Sequence, residues 1–302
     1  MAVGVIGLGT MGGRMVRALL EAGHEVVVYD ASDAALTRAT DAGARAVGSV
    51  GEIPPLCRVV LLSLPRPGDV AEVVAGTDGL LSRPSQGLVL ADTSTVDPAT
   101  TRRMADRAAE AGVGYLDAPV LGRPEACGRW TLPVGGNRED LEVARPTLDA
   151  IARNVSHVGA SGSGNAIKLL NNLMFGAINA ITAEALAAAA LVGLSPRKFY
   201  ETVAESDAAT VSNLFRAIGP KMLEGDFTPA FTIDLLSKDN SLALAMIEDA
   251  GASMIVGNAV QTLNGLARAA GYGHEDTSAA VKVYEQLLGV NVGNHANANE
   301  ES

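Results

Sequence analysis

Residues 7–12 read Gly-Leu-Gly-Thr-Met-Gly and are flanked on both sides by patterned chain. A short apolar run (Val3, Val5, Ile6) precedes them and a helical stretch from about Gly13 to Ala22 follows. A second apolar run, Glu25 to Tyr29, then ends on Asp30. Strand, glycine turn, helix and strand in that order leave few folds open. One glycine makes the tight turn, a second lets backbone come close to a pyrophosphate, and a third lets the helix lie against the sheet. Phosphate oxygens then meet the N–H groups at the helix start, where the dipole favours negative charge. Gly7, Leu8, Gly9, Thr10, Met11 and Gly12 are therefore read as a dinucleotide-binding turn. Asp30 stands at the tip of the second strand, where a carboxylate accepts both ribose hydroxyls of NAD and repels the 2′-phosphate of NADP. The alternative for Asp30 is a solvated or helix-capping carboxylate, since Ala31-Ser32-Asp33 also has the form of a helix start. No arginine follows directly to receive a phosphate, Arg38 lying eight residues on, so NAD is favoured over NADP.

The pattern then repeats. A helix is expected from Ala34 to Ala42, stopping at Gly43, and a fully buried parallel strand over 58–64, ended by Pro65 and Pro67. Leu88 to Ala91 reads as a further strand, Asp97-Pro98 as the cap and first position of a helix to Ala111, and Tyr115 to Val120 as another strand. Strands alternating with helices predict a doubly wound parallel sheet, with ligands at the carboxyl ends of the strands. Near residue 160 the character changes. Gly159 to Gly164 is rich in glycine and serine, and strand patterns vanish from Asn165 onward. A long apolar helix is expected from Ala166 to Val192, Ser195-Pro196 is read as the cap of the next, and others are expected near 212–223, 235–249, 260–270 and 277–288. The expected organisation is a dinucleotide-binding domain over 1–161, an all-helical substrate and dimerisation domain over 162–290, and a disordered polar tail over 291–302.

Composition narrows the function. With 302 residues and 48% of them hydrophobic the chain can bury the core of two domains, and its net charge of −11 argues against nucleic acid as a partner. The long helix holds Asn179 and Glu184, so a membrane span is not expected; burial between domains or subunits suits an alanine-rich helix better. The first strand starts at residue 3, so no signal peptide is expected. Cys57 and Cys127 suggest packed thiols of a reducing cytoplasm rather than a disulfide framework. The four histidines have no metal-ligand spacing, and no metal is expected.

Where the two halves meet stands Gly164-Asn165-Ala166-Ile167-Lys168-Leu169-Leu170-Asn171-Asn172. Lys168 and Asn172 share a helix face. A lysine in the first turn of a helix meets an unfavourable dipole, which together with desolvation lowers its pKa toward the range of proton transfer; otherwise it is one more solvated lysine. Taken together, these segments resemble the β-hydroxyacid dehydrogenase family, which has the 6-phosphogluconate dehydrogenase-type architecture: a Rossmann-type sheet domain followed by an all-α domain. The likeness covers roughly residues 3–289 and rests on four motifs: Gly7 to Met15, Asp117-Ala118-Pro119-Val120, Gly164 to Asn172, and Lys238-Asp239. It implies that Lys168 is the acid/base, that Asn172 orients the substrate, that Leu64 and Pro65 flank the adenosine, and that Thr95 and Lys238 serve the nicotinamide end.

In one segment the sequence departs from that pattern. The family continues Asp-Ala-Pro-Val with Ser-Gly-Gly, whose hydroxyl and N–H groups hold the substrate carboxylate. Here Leu121-Gly122-Arg123-Pro124 follows, and Pro124 has no N–H to offer. The following stretch is about two residues short, which places Trp130 where a smaller aliphatic side chain is expected. Gly122, Arg123 and Trp130 are accordingly expected to shape the substrate site, with the Arg123 guanidinium gripping a carboxylate through two parallel bonds; the alternative is that Arg123 points to solvent and pairs with Glu125. The resemblance implies reversible oxidation of a short 3-hydroxy acid to its semialdehyde by NAD(P), in a homodimer or homotetramer. Tartronate semialdehyde reduction, imine reduction on the same fold, and a non-catalytic NAD-binding module are the other readings.

Overall fold

The computed structural model describes residues 2–206, 208 and 210–293. The chain forms two compact units, the first running to Leu169 and the second starting at Leu170.

The first unit is built on a sheet with strand order β3-β2-β1-β4-β5-β6-β7-β8 among the described residues. Its strands are β1 (Ala2–Ile6), β2 (Val26–Tyr29), β3 (Arg45–Ala46), β4 (Cys57–Leu62), β5 (Val89–Asp92), β6 (Gly114–Asp117), β7 (Trp130–Gly135) and β8 (Ala152–Gly159). Its helices are α1 (Gly12–Glu21), α2 (Asp33–Asp41), α3 (Pro67–Ala75), α4 (Pro98–Glu110) and α5 (Arg138–Ile151). Residues alternate across the sheet as a pleat requires. Val59 and Leu61 join the core formed with Met15, Leu19, Ala144 and Leu148 on one face. Val60 and Leu62 join Val70, Val74, Met104 and Ala108 on the other. Covered on both faces from Val59 to Leu62, β4 exposes only Arg58 near its start, which is why those four residues read as a continuous apolar run.

Two features differ from expectation. The sheet is parallel from β3 to β6, but β7 pairs with β6 antiparallel, and β8 then pairs parallel with β7. The strand expected over 115–120 also leaves the ladder at Asp117, since Pro119 has no N–H for it. The chain runs on to Leu121, which exchanges two backbone hydrogen bonds with Thr131 (2.9 and 3.2 Å). Four residues of extended chain carry this pairing about 13 Å past Asp117. The β7 start and the 121–129 loop therefore stand beyond the carboxyl edge of the parallel strands.

The second unit is helical. The long helix α6 (Ser163–Leu191) starts in the first unit, and its later part packs with α7 (Pro196–Ala204), α8 (Asn213–Glu224), α9 (Ile233–Asp249), α10 (Ile255–Ala269) and α11 (Val281–Leu288). Ser195, Ser212 and Thr232 cap α7, α8 and α9 by accepting N–H bonds. By length and composition α6 is apolar enough to cross a bilayer. It instead buries Ala183, Leu186 and Ala187 against Ile218 and Met222. Asn179 is also buried, with its amide donating to the Thr277 carbonyl at 2.8 Å. The tail expectation needs correction where it is described: Val292 is buried in this core and its N–H donates to Glu285, so 291–293 is ordered chain. Residues 294–302 lie outside the described residues.

Candidate dinucleotide site and active site

The glycine turn divides its work among three glycines. Gly7 has φ +87°, and a Cβ there would lie 2.2 Å from the Ser63 carbonyl oxygen. A Cβ on Gly12 would meet the Gly7 carbonyl oxygen at 1.8 Å, so α1 lies against the turn with no room for a methyl. A Cβ on Gly9 would have nothing within 4 Å. That open approach faces the start of α1, which no side chain caps and whose first turn has no acidic residue. Uncapped N–H groups beside bare glycine backbone fit a pyrophosphate.

Asp30 supports the turn from the neighbouring strand. One carboxylate oxygen accepts the Leu8 N–H at 2.6 Å and the other the Ser32 N–H at 2.8 Å. The cap of α2 is Ser32, whose hydroxyl accepts from Ala35, so Asp30 is not spent on that helix. A carboxylate has about four acceptor positions, and two remain for ribose hydroxyls.

The other carboxyl-edge loops are tied together by side chains. Buried Asp92 accepts the Ser94 N–H (2.9 Å) through one oxygen and the Tyr115 hydroxyl (2.9 Å) through the other. The Ser94 hydroxyl in turn accepts the Leu64 N–H at 2.9 Å. Burial pushes the Asp92 carboxyl up to about 6, although its hydrogen bonds to Ser94 and Tyr115 oppose the shift. Leu64 is half-buried and Pro65 exposed, both on the loop after β4, and half-buried Thr95 follows Ser94 on the loop after β5.

Sequence reasoning gave no role to two residues that set the start of α6. Asp117 is fully buried and accepts the N–H groups of Gly162 (2.8 Å) and Asn165 (2.9 Å), a cap supplied from a remote strand. Burial raises its carboxyl while these N–H bonds act to lower it. Gly164 is required beside it, because a Cβ there would lie 2.4 Å from the Pro133 carbonyl oxygen. Asn165, also fully buried, accepts the Val96 N–H at 3.3 Å and donates to the Thr101 hydroxyl at 3.1 Å. It thus stitches the loop carrying Thr95 to the helix carrying Lys168. Lys168 is half-buried. It lies in the second turn, since α6 starts at Ser163, three residues before the expected start. The dipole argument made for it therefore weakens, because the effect fades within the first turn and a carboxylate now stands at the helix start.

The second unit gathers the remaining motif. Asn172, buried on α6, donates to Asp239 at 2.6 Å, and Asp239 pairs with Lys238 at 2.9 Å.

Around the altered segment, Trp130 requires a correction. Expected to line the site, it is fully buried in the sheet core, and its indole N–H donates to the Arg123 carbonyl at 2.7 Å. It meets the site only through the loop above it. Gly122, at φ +152°, would place a Cβ 2.5 Å from the indole Cδ1. Arg123 is exposed, and among the described residues no ion pair links it to Glu125.

Comparisons with known proteins agree with this layout. The profile of the NAD binding domain of 6-phosphogluconate dehydrogenase matches residues 2–159. That of the NAD-binding region of NADP-dependent 3-hydroxyisobutyrate dehydrogenase matches 162–284. The chain is 36% identical to 2-(hydroxymethyl)glutarate dehydrogenase of Eubacterium barkeri, over 96% of this chain and 97% of that one. It is 35% identical to 3-hydroxyisobutyrate dehydrogenase of Pseudomonas aeruginosa, over 93% and 98%. The crystal structure of 3-hydroxyisobutyrate dehydrogenase from Salmonella typhimurium superposes with a TM-score of 0.86 at 28% identity, covering 94% and 99%. An imine reductase from Pseudomonas sp. shares the fold at 22% identity and a TM-score of 0.61. The chain belongs to the β-hydroxyacid dehydrogenase family of NAD(P)-dependent oxidoreductases.

Proposed function

We propose that this enzyme reversibly oxidises a short 3-hydroxy acid to its semialdehyde, with Lys168 as the acid/base. The observation that carries the reading is the Asn165 bridge, which brings the helix of Lys168 to the Thr95 loop at the carboxyl edge of the sheet. Gly7 to Gly12, Asp30, Leu64, Pro65 and Thr95 hold the dinucleotide. When bound, its nicotinamide supplies the hydride chemistry. Lys168 takes the proton from the substrate hydroxyl in oxidation and returns it to the oxygen in reduction. In its protonated state it stabilises the negative charge that develops there. Arg123 grips the carboxylate, and Asn172, one turn beyond Lys168, orients the substrate. The compounds named for the two sequence relatives support the substrate class, since both carry a carbinol carbon two bonds from a carboxyl carbon.

Asp30 supports NAD over NADP, because a 2′-phosphate would face a carboxylate already fixed by two N–H groups. Exposed apolar residues on α6 (Met174 at 67%, Ile181, Leu191) and Ile255 at 90% on α10 support a homodimer or homotetramer. The free thiols of Cys57 and Cys127 support the cytoplasm.

A panel of 3-hydroxy acids and semialdehydes, assayed with NAD and NADP side by side and with cyclic imines as a control, tests the reading. Lys168→Ala should lower kcat by about 10²–10⁴-fold with NAD affinity nearly unchanged. Comparable turnover in that variant, or turnover of imines alone, overturns it.

A further inference from the structure

We infer that Trp130 is a positioning residue for substrate recognition, acting through the Arg123 carbonyl to set the pose of the Arg123 guanidinium. This rests on the proposed role of Arg123. The geometry is an interlock. The indole N–H pins the Arg123 carbonyl at 2.7 Å from below, and the same ring closes the space beside Gly122. The φ of +152° at Gly122 is one that side chains other than glycine rarely adopt. Leu121 is fixed on the other side by its two bonds to Thr131. Three consecutive residues of an exposed loop are thus held by three separate constraints, and the side chain they present is a guanidinium with no ion pair among the described residues.

The chemistry explains the combination. A lost serine hydroxyl and lost N–H donors leave a carboxylate without partners, and a guanidinium replaces them only if its fork is held in register. A long arginine on a free loop loses side-chain entropy on binding; one whose backbone is already fixed loses less. The large residue at 130 and the glycine at 122 then form one device, and neither works without the other.

The test is a double-mutant cycle. The probe is whichever of 3-hydroxyisobutyrate, 2-(hydroxymethyl)glutarate and L-serine the wild-type enzyme turns over with the highest kcat/KM. Trp130→Phe keeps an aromatic ring and removes the N–H. It should raise KM about three- to tenfold, the worth of one hydrogen bond, while kcat moves less than twofold. Arg123→Ala should raise KM tenfold or more. In the Arg123→Ala background Trp130→Phe should have no further effect on KM, because the carbonyl remains but the guanidinium it positions is gone. Multiplying effects overturn the inference and assign Trp130 to packing alone. An unaltered KM in Arg123→Ala instead overturns the clamp, and no turnover of any probe overturns the proposed function. Trp130 is the single tryptophan of the chain, which gives a measurement independent of its replacement. In Lys168→Ala with bound NAD, where turnover is too slow to build up NADH, emission should change saturably as the probe is added and stay flat when Arg123→Ala is introduced as well. Flat emission in Lys168→Ala alone overturns the inference.

Discussion

Asp92→Asn isolates the cost of one buried charge. In the native protein one carboxylate oxygen accepts the Ser94 N–H and the other the Tyr115 hydroxyl, with no exposure to water. Asparagine can keep both contacts: its carbonyl oxygen takes the Ser94 N–H, and its amide donates to Tyr115 after the hydroxyl rotates. The Tyr115 O–H gives up its carboxylate acceptor, a cost that does not vary over this pH range, and the titrating charge is removed. Burial raises the folded carboxyl from 3.8 to about 6. Between these values the folded state keeps a proton that the unfolded chain has released, so stability falls as pH rises through this window. Two units correspond to about 3 kcal/mol, of which about 2 falls between pH 4 and pH 7.5. Urea unfolding of both proteins at the two pH values, read by emission of Trp130 in the same unit, measures the difference. The variant should gain about 2 kcal/mol relative to wild type on going from pH 4 to pH 7.5, whatever its offset at pH 4. A gap that stays constant with pH, or one that closes as pH rises, refutes the buried-charge argument.

Three further substitutions test other parts of the first unit. Gly9→Ala should melt within a degree or two of wild type but lose NAD(P) affinity at least tenfold by calorimetry, whereas Gly12→Ala should lose stability first, since its methyl meets backbone at 1.8 Å. Asp117→Ala leaves the N–H groups of Gly162 and Asn165 buried without an acceptor. It should cost about 2–4 kcal/mol and speed amide exchange at those two positions, and unchanged exchange there would remove Asp117 as the cap of α6.

How much of this was legible in the sequence depended on whether the signal was local. The glycine turn, the Asp97 and Ser195 caps and the apolar run of β4 all announce themselves within a few residues. The strands β7 and β8 did not: β7 contains Pro133, and β8 is half-exposed along most of its length and lacks a clean alternation. At the site, Lys168 was found by its place at the seam and by resemblance. The residues that hold it, Asp117 and Asn165, act over separations of 45 to 69 positions, and no spacing rule reaches that far. Trp130 was misplaced for a related reason. Its size was visible, but a sequence does not say that an indole faces the underside of a loop rather than its mouth.

The glycine turn is also less portable than its six letters suggest. Gly7 is pressed against the backbone of Ser63, and Gly12 comes close to the same residue. That residue directly follows β4, some fifty positions downstream and on the far side of another helix–strand unit. Moving residues 7–12 into a foreign scaffold would carry the letters without the neighbour that shapes them. Whoever grafts this nucleotide cradle must transplant two adjoining strands together, since the fingerprint is shared property of both.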